Sequence, residues 1–220
     1  SALNLIISRH QVLKTVYRQD EAGRDYQDVL DYQLELIPTV LASGDAFQQK
    51  ATADIMRSFD LSCEPSIRVA LYLCDQQQYL LILWHHIAFD GWSTGAFLRE
   101  LSTAYQAFAK ETTPLLPALS IRYLDYAAWQ RDKLQGGLAD SQLSYWKAQV
   151  AGYETLMLPT DFPRPANTEL DGKNVNFELD ETLTKQLRNF AKDRGTTLYT
   201  VTLAGFLMTL AKLSGQQDIL

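Results

Sequence analysis

The sequence predicts an α/β protein, and three observations carry that reading. Ile67–Cys74 and Tyr79–Ile87 are apolar runs of strand length around the polar Asp75-Gln76-Gln77-Gln78, the pattern of a hairpin. Directly afterwards Phe97, Leu101, Ala104, Tyr105 and Phe108 recur at helical spacing behind Ser93, a natural N-cap. Farther on, the alternating segment Asn174–Leu179 precedes an amphipathic helical pattern at 181–194 and a second helical stretch, 198–213, apolar on nearly every face.

The remaining elements follow in chain order. Residues 1–10 read as the end of a helix, and Val12–Tyr17 then alternates like a strand. Glu21-Ala22-Gly23-Arg24 supplies a turn before a second strand-rich piece, Tyr26–Leu36. Residues 45–59 form a helix leading to Phe59-Asp60-Leu61. Thr112 to Pro117 ends the helix after Ser93, because proline lacks a backbone donor and biases its predecessor away from helix. Tyr123–Leu134 and Gln142–Ala151 are helices separated by Gly136-Gly137, and 152–173, with Pro159, Pro163 and Pro165, reads as an extended crossing loop. The divisions expected are 1–112, a linking part 113–173, and 174–220.

Composition narrows the function. A net charge of -6 offers no basic surplus for nucleic-acid phosphates or anionic lipid, so neither partner is expected. No window approaches the ~18 apolar residues of a membrane span, and a cytoplasmic setting is expected. Cys63 and Cys74 lie in apolar surroundings without a metal-ligand partner and are read as buried free thiols of a reducing compartment. The chain begins inside a periodic segment and stops at what looks like a strand entry, which suggests an excerpt of a longer polypeptide.

The stretch Trp84-His85-His86-Ile87-Ala88-Phe89-Asp90-Gly91-Trp92-Ser93 holds two of three histidines. On a strand, neighbouring side chains face opposite ways, which counts against His85 and His86 sharing a metal. Two readings then stay open, a structural pair and a catalytic residue. Asp90 and Gly91 fall where a strand turns into a helix, a place that exposes reactive groups and backbone donors. The N–H groups from Gly91 onward suit a developing oxyanion, and Asp90 suits holding a turn or pairing with a cation. Tyr126 and Trp129, three apart on a helix, read as core packing; Glu169, Asp171, Asp180 and Glu181 read as solvated charges.

His-His-Ile-Ala-Phe-Asp-Gly resembles the His-His-x-x-x-Asp-Gly signature of the condensation domains of nonribosomal peptide synthetases, whose superfamily includes chloramphenicol acetyltransferase. Arg9-His10-Gln11-Val12-Leu13-Lys14-Thr15 resembles the family's Arg-His-Glu-x-Leu-Arg-Thr, with Gln11 and Lys14 as departures. Tyr123-Leu124-Asp125-Tyr126-Ala127-Ala128-Trp129-Gln130 resembles its Tyr-x-Asp-Tyr-Ala-x-Trp-Gln helix, and Leu156, Pro159, Asp161, Pro163, Arg164 and Pro165 resemble the proline-rich segment that follows. Thr196-Thr197-Leu198 with Gly215-Gln216-Gln217-Asp218-Ile219 resembles the start of the second half.

The resemblance implies two-layer α+β lobes of the acetyltransferase type, each a mixed sheet with flanking helices, here one lobe and the start of a similar one. It implies amide formation between a carrier-bound donor acyl or peptidyl thioester and the amine of an acceptor aminoacyl thioester. His86 is then the active-site histidine, His85 its support, Asp90 and Gly91 structural, and Arg9 the expected ion-pair partner that holds the motif loop. No cofactor is expected on the chain itself; phosphopantetheine rides on donor and acceptor peptidyl carrier proteins, with an adenylation domain adjacent in a multidomain chain. Heterocyclisation relatives carry Asp where His85 stands, while epimerisation, a CoA-dependent acyltransferase and a non-catalytic recruitment domain are the alternatives. Lacking an N-terminal strand and helix and most of a second lobe, the fragment is expected to be inactive alone.

Overall fold

Ser1 caps α1 (Ala2–Arg9) by accepting the Asn4 N–H, and the helix lays Ala2, Leu3, Ile6 and Ile7 on one buried face. The computed structural model to which this helix belongs describes residues 1–163, 172 and 174–220. They fall into two units, Ser1–Gly136 and Gly137–Leu220. The linking part predicted at 113–173 thus contributes helices to each unit.

A 3₁₀ turn at Gln11–Lys14 replaces the first half of the strand expected at 12–17. Only β1 (Thr15–Gln19) is extended, and it pairs antiparallel with β2 (Asp25–Val29), Thr15 opposite Val29. The second strand ends well before Leu36 for a related reason: β1 offers only five residues to pair with. Apolar alternation at 12–17 therefore serves a tight turn whose Leu13 is buried and a strand whose Val16 is buried.

The second sheet is mixed. β3 (Thr39–Val40) runs parallel to β4 (Ile67–Cys74), and β4 pairs antiparallel along its full length with β5 (Gln77–Trp84). The hairpin turns on two residues rather than four, since Asp75 and Gln76 both take positive φ, 49° and 64°, the demand of a tight primed turn. The helix preceding β4, α2 (Gly44–Met56), is pinned to the sheet at Tyr72, whose hydroxyl donates to Asp54 Oδ2 at 2.6 Å. Lys50 Nζ reaches the same carboxylate at 2.6 Å. Burial pushes the Asp54 carboxyl up, but the hydrogen bonds from Lys50 and Tyr72 outweigh it and leave the group below its ordinary value.

α3 (Gly91–Ala109) closes the core by crossing α1, with Phe97 and Ala104 buried against Ile6, Ile7 and Ile67. Its later apolar residues face outward, Tyr105 and Phe108 among them. α4 (Tyr123–Lys133) carries Tyr126 and Trp129 on its exposed surface as a tilted aromatic pair 5.7 Å apart, not in the core. A π turn over Leu134–Leu138 takes in Gly136 and Gly137.

In the second unit α5 (Ala139–Gln149) is followed by irregular chain to 163, held by Gln216, which accepts the Met157 N–H at 2.8 Å and donates to the Thr155 carbonyl at 3.1 Å. Arg164, Pro165, Glu169 and Asp171 lie outside the described residues. Asn174–Leu179 forms no strand, and its Val175 and Phe177 stand exposed. Asp180 caps α6 (Glu181–Asp193) through the Leu183 N–H at 2.8 Å. α7 (Leu198–Ser214) packs on α6 but has no buried residue, contrary to the burial expected of a helix apolar all round. Cys74 is buried as expected, whereas Cys63 is exposed. Among the described residues no single helix is long and apolar enough to cross a membrane.

Candidate functional site

β5 ends at Trp84, so the two histidines stand just past the strand rather than on it. Strand parity therefore does not separate them; the turn does. The His85 N–H still donates to the buried Ser66 carbonyl at 2.9 Å, and the Ala88 N–H returns to the His85 carbonyl at 3.1 Å. The His85 ring is half-buried, its plane 76° from that of Phe59 at 5.7 Å between centroids, and its Nδ1 accepts the Ile87 N–H at 3.1 Å. His86, one residue on, is exposed.

Aromatic packing brings the loop back to the core. Phe89 stacks on Trp84 at 4.2 Å and 5°, and Phe97 of α3 meets both rings edge-on at 5.2 and 5.8 Å. Pinned in this way at Trp84 and Phe89, the turn 85–88 presents His86 to solvent from a rigid base.

Asp90 is the N-cap of α3, the place the sequence pattern assigns to Ser93. Its Oδ1 accepts the Ser93 N–H at 2.9 Å and the Ser93 hydroxyl at 2.7 Å, while the Asp90 N–H donates to Ser93 Oγ at 3.3 Å, a reciprocal capping box. Ser93 is thus the third helical residue. The Ser93 hydroxyl and N–H hold the Asp90 carboxyl below its ordinary value, with smaller help from the Trp92 N–H. The donors beyond Gly91 that suit an oxyanion by position are, at Ser93, already committed to Asp90. A Cβ on Gly91 would meet no heavy atom within 4 Å, so the space in front of the helix start is open.

Asp90→Ala is therefore expected to lower the thermal midpoint of unfolding by roughly 5 °C at neutral pH. Because the folded-state carboxyl is depressed, its contribution is complete above the ordinary carboxylate range and is lost as pH falls through the lowered value. Melting curves at pH 7 and near pH 3 should thus converge for wild type and Asp90→Ala in acid; parallel curves would remove the cap assignment.

Arg9 does not pair with Asp90. Its Nε donates to Glu100 Oε2 of α3 at 3.1 Å, and its second nitrogen donates to the Pro117 carbonyl. His10 Nε2 lies 2.7 Å from the same Glu100 oxygen. Glu100 sits three residues beyond the buried Phe97 and beside Leu101, so the sequence does show it as a carboxylate on the inner face of an amphipathic helix. Sequence reasoning passes over Glu100, and it names His10 and Phe59 without giving either a part in the site.

Two clefts flank the motif loop within this unit. One, of about 250 Å³, is lined by His10, Val12, Ala88, Phe89, Ser93 and Tyr123. The other, an open trough of about 790 Å³, is lined by Tyr17, Arg18, Gln27, Ile87 and Arg131. Successive residues Ile87 and Ala88 thus face different clefts. Among the described residues no three His, Cys, Asp or Glu side chains converge as a metal site.

The sequence model of a family described as the Condensation domain matches residues 1–220. The chain is 40% identical over 99% of its length to a component protein of the linear gramicidin synthase of Brevibacillus parabrevis, spanning 3% of that protein. It is 38% identical over 98% of its length to phosphinothricin tripeptide synthetase PhsB of Streptomyces viridochromogenes, spanning 19% of it. Among solved structures, the X-domain in a complex with OxyB from teicoplanin biosynthesis matches with a TM-score of 0.85 and 25% identity, over 96% of this chain and 48% of that one. A four-domain nonribosomal peptide synthetase bound to AMP and glycine matches with a TM-score of 0.77 and 25% identity, over 98% and 16%. The chain therefore spans a small part of these curated relatives and about half of the X-domain chain. The mixed α/β fold predicted from the sequence is the fold of these neighbours.

Proposed function

The chain belongs to the condensation domain family, and from that premise we propose that it contributes the histidine side of an amide-forming site in a nonribosomal peptide synthetase. The acceptor is an aminoacyl thioester and the donor an acyl or peptidyl thioester, each tethered through phosphopantetheine to a carrier protein. An adjacent adenylation domain and a cytoplasmic setting belong to the same reading. The observation that carries it is the exposed His86 on a turn held from three sides, by Phe59 on His85, by Phe89 on Trp84, and by the Asp90 cap.

In the reaction the acceptor amine attacks the donor thioester carbonyl, a C–N bond forms, the C–S bond breaks and the donor carrier leaves as its thiol. One proton must leave the nitrogen. A free α-amino group titrates at about pH 8, so a minority of it is already neutral at cell pH and loses its first proton far more readily than an alcohol loses its own, and a strong base is less needed than with an alcohol. His86 acts here by holding the amine in line or by taking its proton. Asp90 and Gly91 shape the helix start behind it, and Arg9 braces α1 against α3 through Glu100.

The test supplies the protein, in its natural full length, with separately loaded donor and acceptor carrier proteins and follows the acceptor by intact mass. Appearance of the acceptor carrier heavier by one acyl unit is the expected result. Inversion of a single carrier-bound amino acid with no mass gain would instead assign epimerisation, and transfer from acyl-CoA would assign the CoA-dependent reaction.

A further inference from the structure

The segment 57–64, between α2 and β4, is built far more firmly than a connecting loop requires. Asp60 Oδ1 accepts both the Ser62 N–H at 3.0 Å and its hydroxyl at 2.6 Å, and Glu64 Oε1 accepts the Asp60 N–H at 2.7 Å. The Leu61 carbonyl accepts the Tyr17 N–H at 2.8 Å, tying the segment to β1. Arg68, from β4, donates to the carbonyls of Arg57 at 2.9 Å and Ser58 at 3.1 Å and to Glu64 at 2.9 Å. That places its guanidinium 4.0 Å from the centre of the Phe59 ring. The same ring also meets His85, in a T-shaped pair with its centroid 5.7 Å away.

We propose that Phe59 is a positioning residue for the histidine turn. Arg68 fixes the ring, the ring fixes the His85 imidazole, and His85 Nδ1 fixes the turn by accepting the Ile87 N–H. Because Nδ1 is an acceptor, the proton of neutral His85 sits on Nε2. The turn so held is the one that carries His86, so a side chain that touches no substrate sets the direction of the reacting group. This inference rests on the amide-forming reading of His86, but its structural half can be measured without any turnover.

Phe59→Leu keeps an apolar side chain of nearly the same size and removes the ring, while Phe59→Tyr keeps the ring. The expected result for Phe59→Leu is a fall in kcat of ~10-fold with KM for the acceptor carrier changed less than ~2-fold, since misplacement by about an ångström costs rate and not binding. Phe59→Tyr should return most of kcat. In ¹⁵N-histidine-labelled chain, wild-type His85 should show a single Nε2–H tautomer and Phe59→Leu a mixture. Phe59→Met, which also lacks the ring and fills space flexibly, serves where the Leu variant does not fold. A folded Leu or Met variant with wild-type kcat and an unchanged His85 tautomer overturns the proposal. Should the wild type itself form no amide, the functional reading fails, and the tautomer measurement alone decides the role of Phe59.

Discussion

His86→Ala is expected to slow amide formation by ~10²- to 10⁴-fold, the range associated with loss of a positioned acid–base or orienting group. Its thermal midpoint should stay within a few degrees of wild type. His86 is exposed, and among the described residues its side chain makes no hydrogen bond that folding depends on. The loss should appear in kcat with donor and acceptor carriers still bound, because the proposed role of the histidine is toward the reacting amine and not the carriers. His86→Asn separates the two roles open to the imidazole. Asn keeps a hydrogen-bonding group at similar reach but has no basic nitrogen, so a general-base role makes it as poor as alanine, whereas a positioning role recovers part of the rate. A folded His86→Ala protein with near wild-type turnover, measured by intact mass of the acceptor carrier, would sink the assignment. The Asp90 cap gives the contrast: it is expected to change stability first and rate only through the helix start.

Much of this site can be read from residue order, and what cannot has a physical cause. The hairpin of β4 and β5 is legible because both strands are long, apolar and antiparallel, and their pairing is local. Its turn is two residues shorter than the polar run suggests, since nothing in Asp75-Gln76 advertises the positive φ that glycine or asparagine usually marks. The pattern places the start of α3 three residues late because Asp90 and Ser93 are equally good caps by type, and only the reciprocal hydrogen bonds show which residue is outside the helix. Asn174–Leu179 and α7 carry strand-like and buried-helix patterns that the described residues leave unpaired and uncovered. Hydrophobic patterning reports which surfaces need a neighbour; the neighbour itself lies outside the pattern. Long-range side-chain partners are the least visible. Arg9 and Asp90 are a plausible ion pair by charge alone, but Glu100 lies on the face of α3 that crosses α1, and proximity settles the pairing.

Glu100→Ala is accordingly expected to destabilise the first unit by about 2–3 kcal/mol, below the full cost of breaking a wholly buried pair because all three partners keep some solvent. The side chains of Arg9, Glu100 and His10 are 14%, 19% and 29% exposed, so alanine would leave a largely desolvated guanidinium with only the Pro117 carbonyl and its remaining water. Glu100→Gln should cost less, since its amide oxygen still accepts from Arg9 while the charge is gone. The decisive measurement is a double-mutant cycle by urea unfolding. Arg9→Ala with Glu100→Ala should show a coupling of about 1–2 kcal/mol, because the second change removes a partner that the first has already orphaned. Arg9→Ala with Asp90→Ala should be additive, each acting at a separate junction, α1 on α3 for the one and the helix start for the other. The reverse pattern, coupling with Asp90 and additivity with Glu100, would return the brace of the motif loop to Arg9 and Asp90. Since Glu100 lies on the helix whose first turn follows the histidine loop, Glu100→Ala should lower kcat as well, by a factor far smaller than His86→Ala.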